Sequence, residues 1–150
     1  MNSLRKFYQA ILDILYPKKC VHCGVVGAYL CDACLTRLPL KTNYWEEGLL
    51  TLFDYEQPVA KKLIWLLKYK GVRDVAPLLA DLIYEHIIED LAEVEQFSPA
   101  TGKIFIVPVP LSRQREKQRG FNQAEELAKH LVAKDEKLFY LESDNLIKIR

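Results

Sequence analysis

No apolar run in this chain approaches the roughly 18–20 residues that a membrane-spanning helix needs. No transmembrane segment is expected in these 150 residues. The N-terminus does not read as a secretory signal, because Gln9 and Asp13 interrupt its apolar positions and no small-residue cleavage site follows. The expected compartment is the cytoplasm. Glycine is sparse and scattered: the six glycines, at 24, 27, 48, 71, 102 and 120, form no clustered phosphate-binding loop. A strong net charge is missing too. The formal charge is +1, from 21 Lys/Arg against 20 Asp/Glu, so binding to nucleic acid through bulk charge is not implied.

What is present is unevenly distributed. Residues 1–40 carry five Lys/Arg against two Asp/Glu, residues 41–100 six against eleven, and residues 101–150 ten against seven. Basic local sites therefore remain open at both ends. Half of the 150 residues are hydrophobic and 27% are charged, a normal balance for a globular protein of one domain, or of a small module with part of a larger one.

All four cysteines fall in fifteen residues: Cys20-Val-His-Cys23, seven residues, then Cys31-Asp-Ala-Cys34. A tight turn between the members of a C-x-x-C pair aims both thiolates at one ion, and two pairs close a tetrahedron. Gly24 supplies the permissive backbone that such a knuckle needs. The expected cofactor is a structural zinc held by Cys20, Cys23, Cys31 and Cys34. Disulfides and a redox C-x-x-C are the competing readings. The lack of a signal peptide weighs against the first, and the crowding of two pairs with no βαβ pattern around them weighs against the second. His22 stands between two ligands and is a substitute ligand at most.

Around the cysteines the periodicity predicts the following elements. A helix over 4–15 buries Leu4, Phe7, Tyr8, Ile11, Leu12 and Leu15, and Pro17 ends it. Leu35 to Leu38 reads as a short helical turn, and Pro39 to Asn43 as a linker. Gly48 to Tyr55 reads as a strand. Pro58 opens a helix buried through Leu63, Ile64, Leu66 and Leu67, with Trp65 placed in the core and Gly71 as cap. A second helix runs from Asp74 to about Ala92 on the stripe Val75, Leu78, Leu79, Leu82, Ile83 and Ile87. His86 reads as a helix-surface histidine. After a turn-rich connection at Phe97–Gly102, Ile104–Val107 is a buried strand, and Asn122–Ala133 is a helix. Leu138–Leu141 and Leu146–Ile149 are short apolar runs.

The segment after the Ile104–Val107 strand carries the main functional signal. In α/β proteins ligands sit at the carboxyl ends of strands. Here the strand feeds Val107-Pro108-Val109-Pro110 and then Arg113, Arg115, Lys117 and Arg119, a cation at every second position. Pro110 and Gly120 favour a loop, and in an extended loop a period of two puts all four cations on one side, where they ask for an anion. The plain alternative is a solvated surface loop.

The order of these features (two C-x-x-C pairs, Leu67-Lys68-Tyr69-Lys70-Gly71, then VPVPLS and Arg119-Gly120-Phe121-Asn122-Gln123-Ala124) resembles the ComF family. These ComFC-like late-competence proteins of bacteria are related to type I phosphoribosyltransferases. The resemblance covers about Leu12 to Arg150. It implies an α/β architecture: an N-terminal helix and zinc ribbon over 1–41, then an incomplete phosphoribosyltransferase-like domain over 44–150. It implies that Ser112, Arg113, Arg115, Lys117, Arg119, Gly120, Asn122 and Gln123 face the pyrophosphate of 5-phosphoribosyl 1-pyrophosphate. The implied role is DNA uptake in natural competence, with a helicase-type partner and single-stranded DNA. Magnesium is expected only at a full-length phosphoribosyltransferase site. Family members also carry an acidic pair before a Thr- and Gly-containing turn, which hold the ribose hydroxyls and the 5-phosphate. This sequence has no Asp-Asp, and Ile87-Ile88-Glu89-Asp90 is followed by Leu-Ala. The chain therefore reads as an N-terminal fragment or truncated member, with no assignable catalytic residue and no complete transfer on its own. The alternative function is a non-catalytic zinc-ribbon module that binds single-stranded DNA or a protein partner.

Overall fold

The structure is a computed structural model that describes residues 17–40, 51–54, 56–94, 103–143 and 146, with the backbone alone for 89–94. The expected helix over 4–15, most of the 39–43 linker, the Phe97–Gly102 connection and most of the Leu146–Ile149 run lie outside the described residues. The chain divides into two compact units, residues 1–63 and 64–150.

In the first unit, Lys19 and Val26 form an antiparallel bridge. The Cys20 amide donates to the Val25 carbonyl and the Gly27 amide to the Lys18 carbonyl, each at 2.9 Å. Helix α1 is Asp32–Leu35. It begins earlier than the turn expected at Leu35–Leu38, because the Cys31 carbonyl accepts from both Cys34 and Leu35 and nucleates the turn at the cysteine itself. Leu30, Leu38 and Cys20 are buried.

Thr51–Asp54 is not a strand, contrary to the expectation for Gly48–Tyr55. The Asp54 carboxylate accepts from the Glu56 amide at 3.1 Å, and the Asp54 carbonyl accepts from the Gln57 amide at 3.0 Å. That local Asp turn bends the chain where β-propensity alone reads as extended. Helix α2, Pro58–Tyr69, follows, with proline in its first turn as expected. The Gln57 side-chain oxygen takes the Ala60 amide at 2.6 Å, satisfying one of the otherwise orphaned amides of the first turn.

Val59, Ala60, Leu63 and Leu67 are the buried positions of α2, whereas Trp65 is 45% exposed. The core placement of Trp65 is corrected by helix geometry. At about 100° per residue, position 65 falls roughly 200° from Leu63, on the far side of the cylinder. Gly71 adopts φ +64° just past the helix, a conformation that glycine takes without a Cβ penalty.

In the second unit, helix α3, Val75–Val94, packs against helix α5, Gln123–Val132. The stripe on α3 has a narrower centre than the periodicity alone shows. Ala76 and Ala80 are fully buried, one turn apart, and small side chains there let a neighbouring helix approach closely. Ala128 and Leu131 are buried on α5. Strands β1, Ile104–Ile106, and β2, Phe139–Leu141, pair in parallel, with Ile104 opposite Phe139 and Ile106 opposite Leu141. Helix α4, Arg113–Arg119, and α5 form the crossover between them. The described residues thus form a mixed helix and strand protein with a small, two-stranded sheet.

Phe139 anchors this packing. It is 1% exposed, and Tyr84 of α3 meets its ring edge-on at a centroid distance of 6.2 Å. Just before β2, the Asp135 carboxylate accepts from the amides of Lys137 and Leu138, both at 3.0 Å, turning the chain into the strand. Lys134 pairs with Asp81 and ties this turn back to α3. Phe139→Ala removes the central ring and is expected to cost about 3–5 kcal/mol. The check is the midpoint of urea unfolding followed by far-ultraviolet circular dichroism.

Candidate functional site

The four cysteine sulfurs converge. All lie within 4.8 Å of one another, and Cys23 Sγ and Cys31 Sγ are 3.6 Å apart. Four sulfurs bound at about 2.3 Å to one ion stand about 3.8 Å apart in a tetrahedron, whereas a disulfide holds its sulfurs at about 2.05 Å. The cysteines are unpaired, so the arrangement fits a metal ion and not a pair of bridges.

The backbone explains the convergence. Gly24, at φ +76°, donates its amide to the Cys20 carbonyl at 2.9 Å and closes the first knuckle. The start of α1 closes the second. His22 Nδ1 lies 3.4 Å from Cys34 Sγ, so this histidine contacts a ligand sulfur and is not needed as a fifth donor. Lys62 of α2 donates to the Val21 carbonyl at 3.1 Å and braces the first knuckle within the same unit.

The two ends of the cluster titrate in opposite directions. Burial opposes ionisation of Cys20, but the backbone amides of Cys23, Cys31 and His22 and the Cys23 thiol outweigh it and draw Cys20 down to about 5. Burial, then the neighbouring thiols of Cys31, Cys23 and Cys20, push Cys34 up to about 12. At neutral pH the free cluster therefore holds Cys20 as thiolate and Cys34 as thiol. A metal ion must displace the Cys34 proton. In a weakly buffered titration near pH 7, metal addition should release acid, and apparent affinity should fall as the pH is lowered towards 5, where Cys20 also gains a proton. Uptake independent of pH would count against ligation by these thiolates.

The basic segment is a helix and not an extended loop. The Ser112 hydroxyl accepts from the Arg115 amide at 3.4 Å as N-cap of α4, and Gly120, at φ +76°, closes its C-terminus with its amide on the Glu116 carbonyl at 2.7 Å. Proline before and glycine after a segment bound a short helix as readily as a loop. Lys117 and Arg119 in the last turn also suit the helix dipole. The four cations consequently do not share one side. Arg113 and Lys117 form one i,i+4 pair and Arg115 and Arg119 another, on roughly opposite faces.

Arg115 and Arg119, with Gln118, line an open cavity of about 530 Å³, and Lys68–Gly71 at the end of α2 forms its other wall. Arg119 is held in place: its Nη1 donates to Gln123 Oε1 at 2.7 Å, and its guanidinium carbon lies 5.2 Å from the Tyr69 ring centroid. Arg73 fixes the turn behind, donating to the Gly120 carbonyl at 3.3 Å and stacking 4.5 Å from the Phe121 ring centroid.

Other residues of the expected anion site have internal partners. Asn122 caps α5 by accepting from the Ala124 amide at 3.0 Å, and its Nδ2 donates to the Val109 carbonyl at 3.2 Å. Gln123 is buried, with its Nε2 on the Phe121 carbonyl at 3.3 Å. Glu125 and Glu126 occupy the first turn of α5 and offset its N-terminal dipole. Lys68, Tyr69 and Lys70 were not among the expected site residues. Their signal is the alternation Lys-Tyr-Lys-Gly at a helix end, which acquires meaning only when Arg115 and Arg119 stand opposite.

No helix among the described residues is long and apolar enough to cross a membrane. Comparison with protein-family models, curated proteins and solved structures finds no match for the chain.

Proposed function

We propose that this chain is a ComF-type, phosphoribosyltransferase-like protein built around a structural zinc, with a role in DNA uptake alongside a helicase-type partner. Cys20, Cys23, Cys31 and Cys34 hold the zinc. An all-sulfur donor set suits zinc among the common divalent ions, and four protein ligands leave no open position for catalysis. The Ser112–Gln123 segment serves the pyrophosphate end of a phosphoribosyl pyrophosphate ligand.

One observation carries the second half of this reading. Strand β1 runs parallel to β2 across the α4–α5 crossover, and its carboxyl end leads through Val107–Leu111 into the basic helix. Ligands of parallel α/β units sit at that end of the strand. Guanidinium groups there bind phosphate oxygens in pairs.

Two measurements test this. Metal analysis of protein purified under reducing conditions should find one zinc per chain, and less than about half an equivalent would sink the zinc reading. Calorimetry should detect phosphoribosyl pyrophosphate binding that weakens about ten-fold or more in Arg115→Ala/Arg119→Ala, as expected for lost charge-assisted contacts. Binding unchanged by that pair of substitutions would count against the segment.

A second reading, a non-catalytic module for single-stranded DNA, is favoured by the exposure of Trp65 and Tyr69. These residues lie one turn apart on α2, and Lys70 Nζ sits 5.1 Å from the Trp65 ring centroid. Exposed rings among cations are a stacking platform for bases. Its test is oligonucleotide affinity across a salt series, which must fall steeply with salt if backbone phosphates are engaged.

A further inference from the structure

We infer that His22 is a positioning residue of the metal centre: its ring Nδ1–H donates to the sulfur of Cys34 and holds that ligand as a thiolate. This rests on the zinc reading of the four cysteines and adds to it a residue that is not itself a ligand.

The geometry places His22 at both ends of the cluster. Its ring Nδ1 lies 3.4 Å from Cys34 Sγ, twelve residues away in the chain. Its backbone amide is one of those that act on the Cys20 sulfur. One residue therefore holds the first and the last ligand, one through the main chain and the other through the side chain. The backbone on either side of His22 is fixed. Gly24 donates its amide to the Cys20 carbonyl at 2.9 Å, and Lys62 donates to the Val21 carbonyl at 3.1 Å. A ring carried on a fixed turn costs little to order.

The sulfurs are not equally supplied with donors. Cys20 takes the backbone amides of Cys23, Cys31 and His22. The groups acting on Cys34 are the thiols of Cys31, Cys23 and Cys20, and they oppose its ionisation. Among the described residues, the His22 ring is the hydrogen-bonding group from outside the cysteine set that reaches Cys34.

Chemistry fixes the direction of this bond. A metal-bound sulfur has lost its proton and can only accept, so the imidazole must supply the N–H. A neutral imidazole carries one N–H, and the contact assigns it to Nδ1. Four thiolates around one divalent ion leave an excess of about two negative charges, which a donor at the sulfur helps to offset. The ring does not take the place of Cys34, because the four sulfurs already lie within 4.8 Å of one another and close a tetrahedron. Groups that hydrogen-bond to metal ligands are typically worth about 10–100-fold in metal affinity. His22 is exposed, so water competes with the ring, and the low end of about ten-fold is expected.

The experiment is chelator competition for zinc on the full chain, under reducing conditions at one fixed pH, with the parent, His22→Phe, His22→Ala and His22→Asn. Phenylalanine keeps a ring and removes the donor. Asparagine puts an amide N–H near the place of Nδ1. His22→Phe and His22→Ala should each bind zinc about ten-fold more weakly, and His22→Asn should bind nearly as the parent does. Cobalt in place of zinc gives a second readout. The visible bands of a tetrahedral four-thiolate centre should keep their positions in every variant, because no ligand is lost.

Equal zinc affinity in the parent and His22→Phe overturns the inference. So does His22→Asn binding as weakly as His22→Ala, because the N–H is then not what matters. Cobalt bands that move in His22→Ala overturn it as well, by making the ring a ligand. A parent chain that takes up no zinc sinks the zinc reading together with this one, whereas a parent that binds zinc while all three variants match it sinks this inference alone.

Discussion

The second unit depends on one topological constraint. β1 and β2 run parallel, so the chain must travel back along the sheet before the second strand can pair. Here α4 and α5 make that return. The crossover is stable only if α5 buries its apolar face, and α3 together with β2 supplies the cover. Phe139, nearly inaccessible to solvent and held edge-on by Tyr84, is where strand and helix layers meet. With α5 seated, the short helix before it has little freedom. Arg73 removes more of it by donating to the Gly120 carbonyl and stacking on Phe121. The position of the cations on α4 is thus a consequence of burying side chains that carry no charge.

The cysteine cluster follows a different logic. Its residues are close in sequence, and the turns that aim their sulfurs are local: a glycine at positive φ after one pair and a helix start at the other. A site of this kind takes little from the remainder of the chain. Free thiols gathered so closely disagree about ionisation, with Cys20 held low and Cys34 held high. A metal ion, when bound, would resolve the disagreement by taking all four as thiolates.

The elements legible in the sequence were those set by local rules. The C-x-x-C spacing announced the convergence of the sulfurs. Proline at 58 and the apolar stripes placed α2, α3 and α5 within a residue or two of their observed bounds. The readings that changed were ones in which several local rules compete. Thr51–Asp54 has the residues of a strand, but the Asp54 side chain makes a turn. Arg113–Arg119 alternates as a strand edge would, but the Ser112 cap and Gly120 make it helical. Trp65 is as apolar as its neighbours, and only its angle around the helix exposes it.

The sequence by itself therefore determined the convergence of the four cysteines and the helices with clear apolar faces, because each rests on residues near one another in the chain; the strand before the basic segment, expected to be buried, leaves Phe105 52% exposed and depends on pairing with Phe139–Leu141. Tertiary structure decided which cations stand together. Lys68 and Lys70 lie more than forty residues from Arg115 and Arg119. They share a cavity because helix packing carries α4 to the end of α2, and no periodicity in either segment encodes that meeting.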